Sequence, residues 1–382
     1  SAAFNFTHDA IAPLGHNFTL TLKDSDDASV VAGTRSNGGT AVPGTYTLTV
    51  VADEKLARAP TLALAGYSAD PGVVYSSAAT ADSGLTWTYT LAPYMASDTA
   101  ISIQTSAGGA TDLVGNTSTV ASAAFDFTHD GIAPLGSNFV LVLKDSADAA
   151  VYPGTRSTGG AGGGALALPA GQYQLTVVAS EALSLAPVLT LPGYGGPAAT
   201  GTTSDNITWT YTLVPLATDT AISIQVDVGG ATDIAGNEST VASAAFNFTH
   251  DAIAPLGSNF TLTLKDSDDA AVVAGTRSNG GVATPFTYTL KVVADEPLLS
   301  APALALTGYT GPSATGTTPA QGGGKDVEWT YTLAPSTGDT AIIIQTAAVG
   351  ATDLVGNIST VASTAFNFTH DAIAPLGSNF TL

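Results

Sequence analysis

A phrase of twelve residues, Phe-Asn-Phe-Thr-His-Asp-Ala-Ile-Ala-Pro-Leu-Gly, starts at Phe4 and returns at Phe125, Phe246 and Phe366, the second copy reading FDFTHDGIAPLG. The period is therefore 121, 121 and 120 residues. Solenoid and propeller repeats run about 20–50 residues, so a period this long is a whole domain. About 120 residues suffice for one independent core. The chain thus reads as a string of similar beads. Such an array serves reach, stiffness or multivalency, whereas catalysis needs only one good site. The expected division is the end of a preceding repeat over 1–12, repeats over 13–133, 134–254 and 255–374, and the start of a fourth over 375–382. The phrase both opens and closes the chain, which suggests a segment of a longer repetitive protein.

The hydrophobic pattern inside a bead has period two. Leu85-Thr86-Trp87-Thr88-Tyr89-Thr90-Leu91 alternates large apolar residues with Thr, as do Tyr46–Val50 and Phe18–Leu22. Alternation of this kind marks strands with one buried face. Strands are expected over 16–23, 45–52, 60–66, 72–78, 85–92, 99–105 and 117–128, separated by turn signals such as Gly38-Gly39, Pro43-Gly44 and Gly108-Gly109. Seven short alternating strands in one bead predict an all-β fold: tandem immunoglobulin-like antiparallel β-sandwich domains in a linear rod. Trp87, Trp209 and Trp329, each followed two residues on by Tyr, fall on one face of their strand. Core packing explains them better than an aromatic platform for carbohydrate, so a carbohydrate-binding module is only a minor alternative. The linker is short, has no Gly/Ser or charge run, and carries Pro13, Pro134, Pro255 and Pro375, which predicts a stiff joint.

Charge narrows the partners. The chain has 10 basic and 31 acidic residues, a net charge of −21, and no cysteine. Nucleic acid and anionic membranes are poor partners for such a surface, metal cations are natural ones, and no disulfide holds the beads. No apolar run is long enough to span a bilayer, so no membrane insertion is expected from this segment.

The acidic residues recur in register. Asp9, Asp130, Asp251 and Asp371 stand in the linkers; Glu54, Glu181 and Glu296 follow the second strand of each bead; Asp112, Asp233 and Asp353 open a Thr-Asp-x-x-Gly-Asn turn closed by Asn116, Asn237 and Asn357. In an immunoglobulin-like sandwich these three places lie at one end. Asp9, Glu54, Asp112 and Asn116 should therefore converge at the head of the first bead. The sets Asp130, Glu181, Asp233, Asn237 and Asp251, Glu296, Asp353, Asn357 should do so in the next two. Hard oxygen ligands on loops suit Ca²⁺, whereas Zn²⁺ would want Cys or several His. Turn chemistry is the other reading, since Asp and Asn side chains bond nearby backbone amides.

Asp24, Asp26 and Asp27, with their counterparts, form a second acidic group, and Asp98, Asp219 and Asp339 are expected at the same end. A second cation bridging to the next bead and pairing with Arg35, Arg156 and Arg277 are equal alternatives there. His8, His129, His250 and His370 precede the linker Asp and suggest hydrogen-bonding spacers between beads. No nucleophile elbow accompanies them, so no enzyme is expected. A Lys–Asn cross-link between Lys23, Lys144 or Lys265 and Asp126, Asn247 or Asn367 is a remote alternative. The Asn-x-Ser/Thr sequons would matter only in a eukaryotic secretory host.

The phrases Tyr46-Thr-Leu-Thr-Val-Val-Ala-Asp-Glu54, Pro60-Thr-Leu-Ala-Leu64, Trp87-Thr-Tyr-Thr-Leu91 and Ala110-Thr-Asp-Leu-Val-Gly-Asn116, with a linker ending in Ala-Pro, resemble the bacterial Ig-like repeats of giant secreted adhesins and biofilm-associated surface proteins. Those repeats commonly read SEP, DAAGN and DTTAP; Val178-Ala-Ser-Glu181 and Asp295-Glu-Pro297 come close to the first. The resemblance spans all three beads. The linker His-Asp-Ala-Ile-Ala-Pro and the long Gly-rich loop after the first strand depart from it. It implies an extracellular, cell-surface rod, often rigidified by Ca²⁺, whose partners are the neighbouring repeats of its own chain. The alternative is a repetitive subunit of an extracellular filament or sheath, with identical chains packed side by side.

Overall fold

The computed structural model describes residues 5, 8–40, 44–68, 76–79, 84–93, 98–282, 286–317, 327–335 and 337–374. In the first bead the strands are β1 (Thr19–Asp24), β2 (Ser29–Val30), β3 (Arg35–Ser36), β4 (Tyr46–Val51), β5 (Leu62–Ala65), β6 (Ser76–Ala79), β7 (Thr86–Leu91), β8 (Asp98–Thr105) and β9 (Phe125–Asp130). They form two sheets, in the orders β2-β1-β4-β7-β6 and β3-β9-β8-β5. This division is that of an immunoglobulin-type sandwich. The second and third beads repeat both sheets with the same pairings. The chain is all-β and built of tandem immunoglobulin-like sandwiches, as the alternation predicts.

The period of two places the core. Along β4, Tyr46, Leu48 and Val50 point inward and lie opposite Leu91, Tyr89 and Trp87 of β7. On the facing sheet Ile101 of β8 lies opposite Phe127 of β9. Leu48, Val50 and Ile103 are fully buried, as are Leu175 and Leu290 in the later beads. Each such side chain contributes about 2 kcal/mol by leaving water. The tryptophans belong to these cores: Trp209 and Trp329 are buried, and the Trp87 indole N–H donates to the Gly84 carbonyl at 3.1 Å. No aromatic platform is formed by them.

Two expectations and one remote alternative are corrected. First, the loop after β1 holds a change of sheet. Gly33, at φ +82°, turns the chain, and its N–H donates to the Asp126 carbonyl at 2.7 Å. β3 then pairs in parallel with β9, Arg35 opposite Thr128 and Ser36 opposite His129. Second, the last strand begins at Phe125, not at residue 117. Ser118 and Ser122 turn their hydroxyls on the backbone, Ser118 to the Val120 carbonyl and Ser122 to the Thr105 amide, and this competes with a sheet ladder. Third, β1 and β9 lie in different sheets, and Lys23 pairs with Asp27 at 2.7 Å, so no Lys23–Asp126 cross-link is set up. The expected strand over 72–78 falls partly outside the described residues; β6 covers Ser76–Ala79.

The linker enters each sandwich through a 3₁₀ turn, Gly15–Asn17, Gly136–Asn138 or Gly257–Asn259. Its glycine lies flat against the segment that leads into the last strand. A Cβ on Gly136 would stand 1.9 Å from the Val241 carbonyl oxygen. Backbone cannot yield that far cheaply. Gly136→Ala is expected to destabilise the second bead by about 1–3 kcal/mol, seen as part of the β signal melting at lower temperature; a melting curve identical to that of the wild type would contradict this packing.

Candidate metal centre at the joints

Parallel pairing of β3 with β9 is what builds the joint. It carries Arg35 to the end of the last strand, where Asp130 begins the linker. Arg35 Nε donates to Asp130 Oδ2 at 2.5 Å and Nη2 to Asp98 Oδ2 at 3.0 Å. Asp98 starts β8 directly opposite Asp130, and its Oδ1 accepts the Ile132 amide at 3.2 Å. The second joint repeats this: Arg156 Nε reaches Asp251 Oδ2 at 2.6 Å, and Asp219 Oδ1 accepts the Ala252 and Ile253 amides at 2.9 and 3.0 Å. Asp98, Asp219 and Asp339 thus act on the linker, and the arginines pair with the linker Asp and, by a second hydrogen bond at Arg35 and Arg277, with Asp98 and Asp339, not with the acids of the loop after the first strand. Asp24, Asp26 and Asp27 are elsewhere engaged: Asp24 and Asp26 accept loop amides and Asp27 holds Lys23.

The following bead grips the same linker from its other side. Asn237 Nδ2 donates to the Asp130 carbonyl at 2.9 Å, and Asn357 Nδ2 to that of Asp251 at 3.1 Å. The Leu135 amide donates to Ser180 Oγ at 3.2 Å, and the Leu14 and Leu256 amides to Asp53 and Asp295 at 3.0 and 3.1 Å. The sequence signal for these caps was present as the residue before each recurring Glu.

The predicted carboxylates do come together. Asp9, Glu54 and Asp112 offer oxygens within 4.8 Å of one another, and Asp251, Glu296 and Asp353 do the same. At the joint between the first two beads the tight trio is Asp98, Asp130 and Glu181. Asp233 takes no part in that trio, and Asp98 takes its place. Glu181 lies at one wall of a cavity of about 280 Å³ lined also by Arg35, Asp98, Asp130, Ala182 and Ile234. Turn chemistry is satisfied at the same time: Asp112 Oδ1 accepts the Val114, Gly115 and Asn116 amides at 3.0, 2.6 and 2.8 Å, and Oδ2 accepts Asn116 Nδ2 at 2.7 Å. Asn116, Asn237 and Asn357 present donors to this network.

Electrostatics follow from the crowding. Burial, then the neighbouring Asp233, Asp130 and Asp98, push Glu181 up to about 7. Burial with Asp251 and Asp353 does the same to Glu296. Glu54 and Asp98 are also raised, chiefly by burial. Asp112 goes the other way: burial opposes it, but the bonds from Asn116 and the turn amides hold it low. One oxygen is conspicuous. Asp130 is 1% exposed, and its Oδ1 has no hydrogen-bond partner. A buried carboxylate oxygen without a donor is costly unless a cation meets it. The donor set fits a hard divalent ion: carboxylates from both beads, Asp98 and Asp130 at strand ends of the first and Glu181 in a loop of the second.

His129, His250 and His370 are not spacers between beads. His129 is fully buried beneath the sheet, its Nδ1 2.9 Å from the Tyr46 hydroxyl, which donates to the Ser36 carbonyl at 2.7 Å. His250 and His370 repeat this with Tyr173 and Tyr288, and burial lowers the pKa of both. They belong to the cores, below the linker.

No protein-family model matches the sequence, and no curated protein does. Among solved structures, an I-band fragment of titin spanning I67 to I69 aligns with a TM-score of 0.32 and 10% identity, covering 94% of this chain and 98% of that one. The surface layer protein SbsC, domains 1–6, aligns with a TM-score of 0.21 and 12% identity, covering 87% of this chain and 53% of that one.

A raised Glu pKa sets the sign of the pH response. Below pH 4.5 the group is protonated both folded and unfolded, and folding carries no ionisation penalty. Above about 7 the folded state must ionise against its neighbours. The buried His250 and His370, with lowered pKa, act in the opposite direction over this window, so the glutamates are read by difference. In chelator, Glu181→Gln with Glu296→Gln should raise the melting midpoint more at pH 8 than at pH 5.5; a gain that is equal at the two pH values would contradict the crowding at Glu181 and Glu296.

Proposed function

We propose that the chain is a non-enzymatic structural repeat, an extended rod whose joints are stiffened by Ca²⁺, and that it serves in an extracellular bacterial surface adhesin or biofilm matrix protein. The observation that carries the reading is Asp130: a buried linker carboxylate with one oxygen on Arg35, the other free, and Asp98 and Glu181 from two different beads beside it. A cation there would join the end of one sandwich to the head of the next. The rest of the molecule suits such a rod. Beads repeat at a fixed period, linkers are pinned on both sides, and among the described residues no helix is long and apolar enough to cross a membrane. Secretion would place the chain where free Ca²⁺ is abundant, and its charge of −21 suits that setting.

The ion's role would be that of a clamp. It neutralises carboxylates that otherwise repel one another and so holds two beads in one mutual orientation. Ca²⁺ that binds only the folded, docked state adds about 2.7 kcal/mol at a free concentration a hundred times its dissociation constant. Loss of Ca²⁺ should loosen the joints before the beads unfold, because each sandwich keeps its own Tyr, Leu and Trp core.

Asp130→Ala should shorten the particle by letting the first joint bend, with no loss of β signal. Small-angle scattering reads the first quantity and circular dichroism the second. An unchanged maximum dimension, in the variant and in chelated wild type alike, would show that proline and packing alone keep the rod straight.

A further inference from the structure

The linker Asp occurs in three environments along this one chain. Asp9 meets a following bead: it is exposed and clusters with Glu54 and Asp112. Asp371 follows a bead, and Arg277 Nε pairs with it at 2.8 Å while its side chain stays 35% exposed. Asp130 and Asp251 lie between two described beads. They keep the arginine pair, at 2.5 and 2.6 Å, and their side chains fall to 1% exposure. At the first joint the guanidinium and the Asp98 carboxylate therefore come from the preceding bead, while burial and the Glu181 carboxylate come from the following one.

We propose that each joint holds two cationic positions on the linker Asp. The arginine of the preceding bead fills a resident one on Oδ2, and a single divalent cation fills an exchangeable one on the opposite oxygen. This rests on the cation reading given above and assigns the arginine a part in it. The geometry at Asp130 separates the two positions: Arg35 Nε takes Oδ2, whereas Oδ1 is buried and has no hydrogen-bond partner, in a carboxyl group that has an oxygen within 4.8 Å of one each from Asp98 and Glu181. Arg35 also reaches Asp98 at 3.0 Å, so one guanidinium spans the two carboxylates that the preceding bead brings to the joint. At the second joint Arg156 holds Asp251 Oδ2 at 2.6 Å, while Oδ1 has only a 3.5 Å approach from Asn357 Nδ2.

Two consequences follow. With no divalent ion bound, the arginine still cancels one charge and keeps the linker Asp aimed across the joint. When the ion is bound, the arginine repels it and holds the affinity below what the carboxylates alone would give. The arginine is thus a positioning residue that makes the joint tuned by the divalent cation instead of wholly dependent on it.

The test uses the full chain carrying Arg35→Gln and Arg156→Gln together, titrated with CaCl₂ by calorimetry, and scattering in chelator. One unit charge about 6 Å from a divalent ion is worth about tenfold in affinity at the dielectric of water, and more in an enclosed site. The glutamine variant should therefore bind Ca²⁺ at least about tenfold more tightly than the wild type, and in chelator its maximum dimension should fall below that of the wild type. Arg35→Lys with Arg156→Lys, which keeps the charge, should bind Ca²⁺ with the wild-type affinity and also guards against misfolding of the glutamine variant. A purely structural arginine would make the glutamine variant bind more weakly. Wild type that binds while the glutamine variant binds no tighter overturns the inference alone, as does an unchanged dimension of that variant in chelator. Wild type that binds no Ca²⁺ overturns the cation reading, and the exchangeable position with it.

Discussion

The linker aspartate is the constraint on which the rest of the joint depends. Asp130 ends one sandwich and begins the path to the next, and it is buried only because both beads close over it. A buried carboxylate must be met by positive charge or by donors. This molecule supplies Arg35 to one oxygen and Asn237 to the main-chain carbonyl, and it brings the carboxylates of Asp98 and Glu181 within 4.8 Å of the Asp130 carboxylate. Each of those groups is delivered by a different strand end or loop, so the orientation of two beads and the satisfaction of one charge are the same problem.

The sandwich fold solves the delivery. Immunoglobulin topology brings the loop after β4, the turn before the last strand and the incoming linker to one end of a bead. The change of sheet between β2 and β3 brings an arginine to the other end. Repetition at about 121 residues then sets each tail against the next head. Beneath the joint, the buried His129–Tyr46 pair and the aromatic contact of Tyr46 with Phe127, ring centroids 5.1 Å apart, anchor the last strand in the core. Core and joint are consecutive stretches of one strand.

Much of this was legible in the sequence, for physical reasons. Period-two alternation over Tyr46–Val51 and Thr86–Leu91 reports a buried face directly, and those strands appear where the pattern puts them. The convergence of Asp9, Glu54 and Asp112 follows once the topology is accepted, because loop ends are fixed by strand order. What was hidden depends on short or non-local pairing. β3 is two residues long and pairs with a strand more than ninety residues away, too short to carry a period. The place of His129 beside Ser36 hangs on that pairing, and the role of Asp98 as a linker cap hangs on its place opposite Asp130 at the start of β8. The late start of β9 reflects a contest between serine hydroxyls and the ladder that alternation alone does not express.

The most direct test of the account is a crystal structure of the chain grown in calcium, with anomalous differences collected to locate the ion. The account predicts a peak at each of the three carboxylate groups, Asp9 with Glu54 and Asp112, Asp98 with Asp130 and Glu181, and Asp251 with Glu296 and Asp353, and at Asp130 a peak on Oδ1 with Arg35 still on Oδ2. Joints with the same geometry but no anomalous peak, held by arginine and asparagine alone, would contradict it.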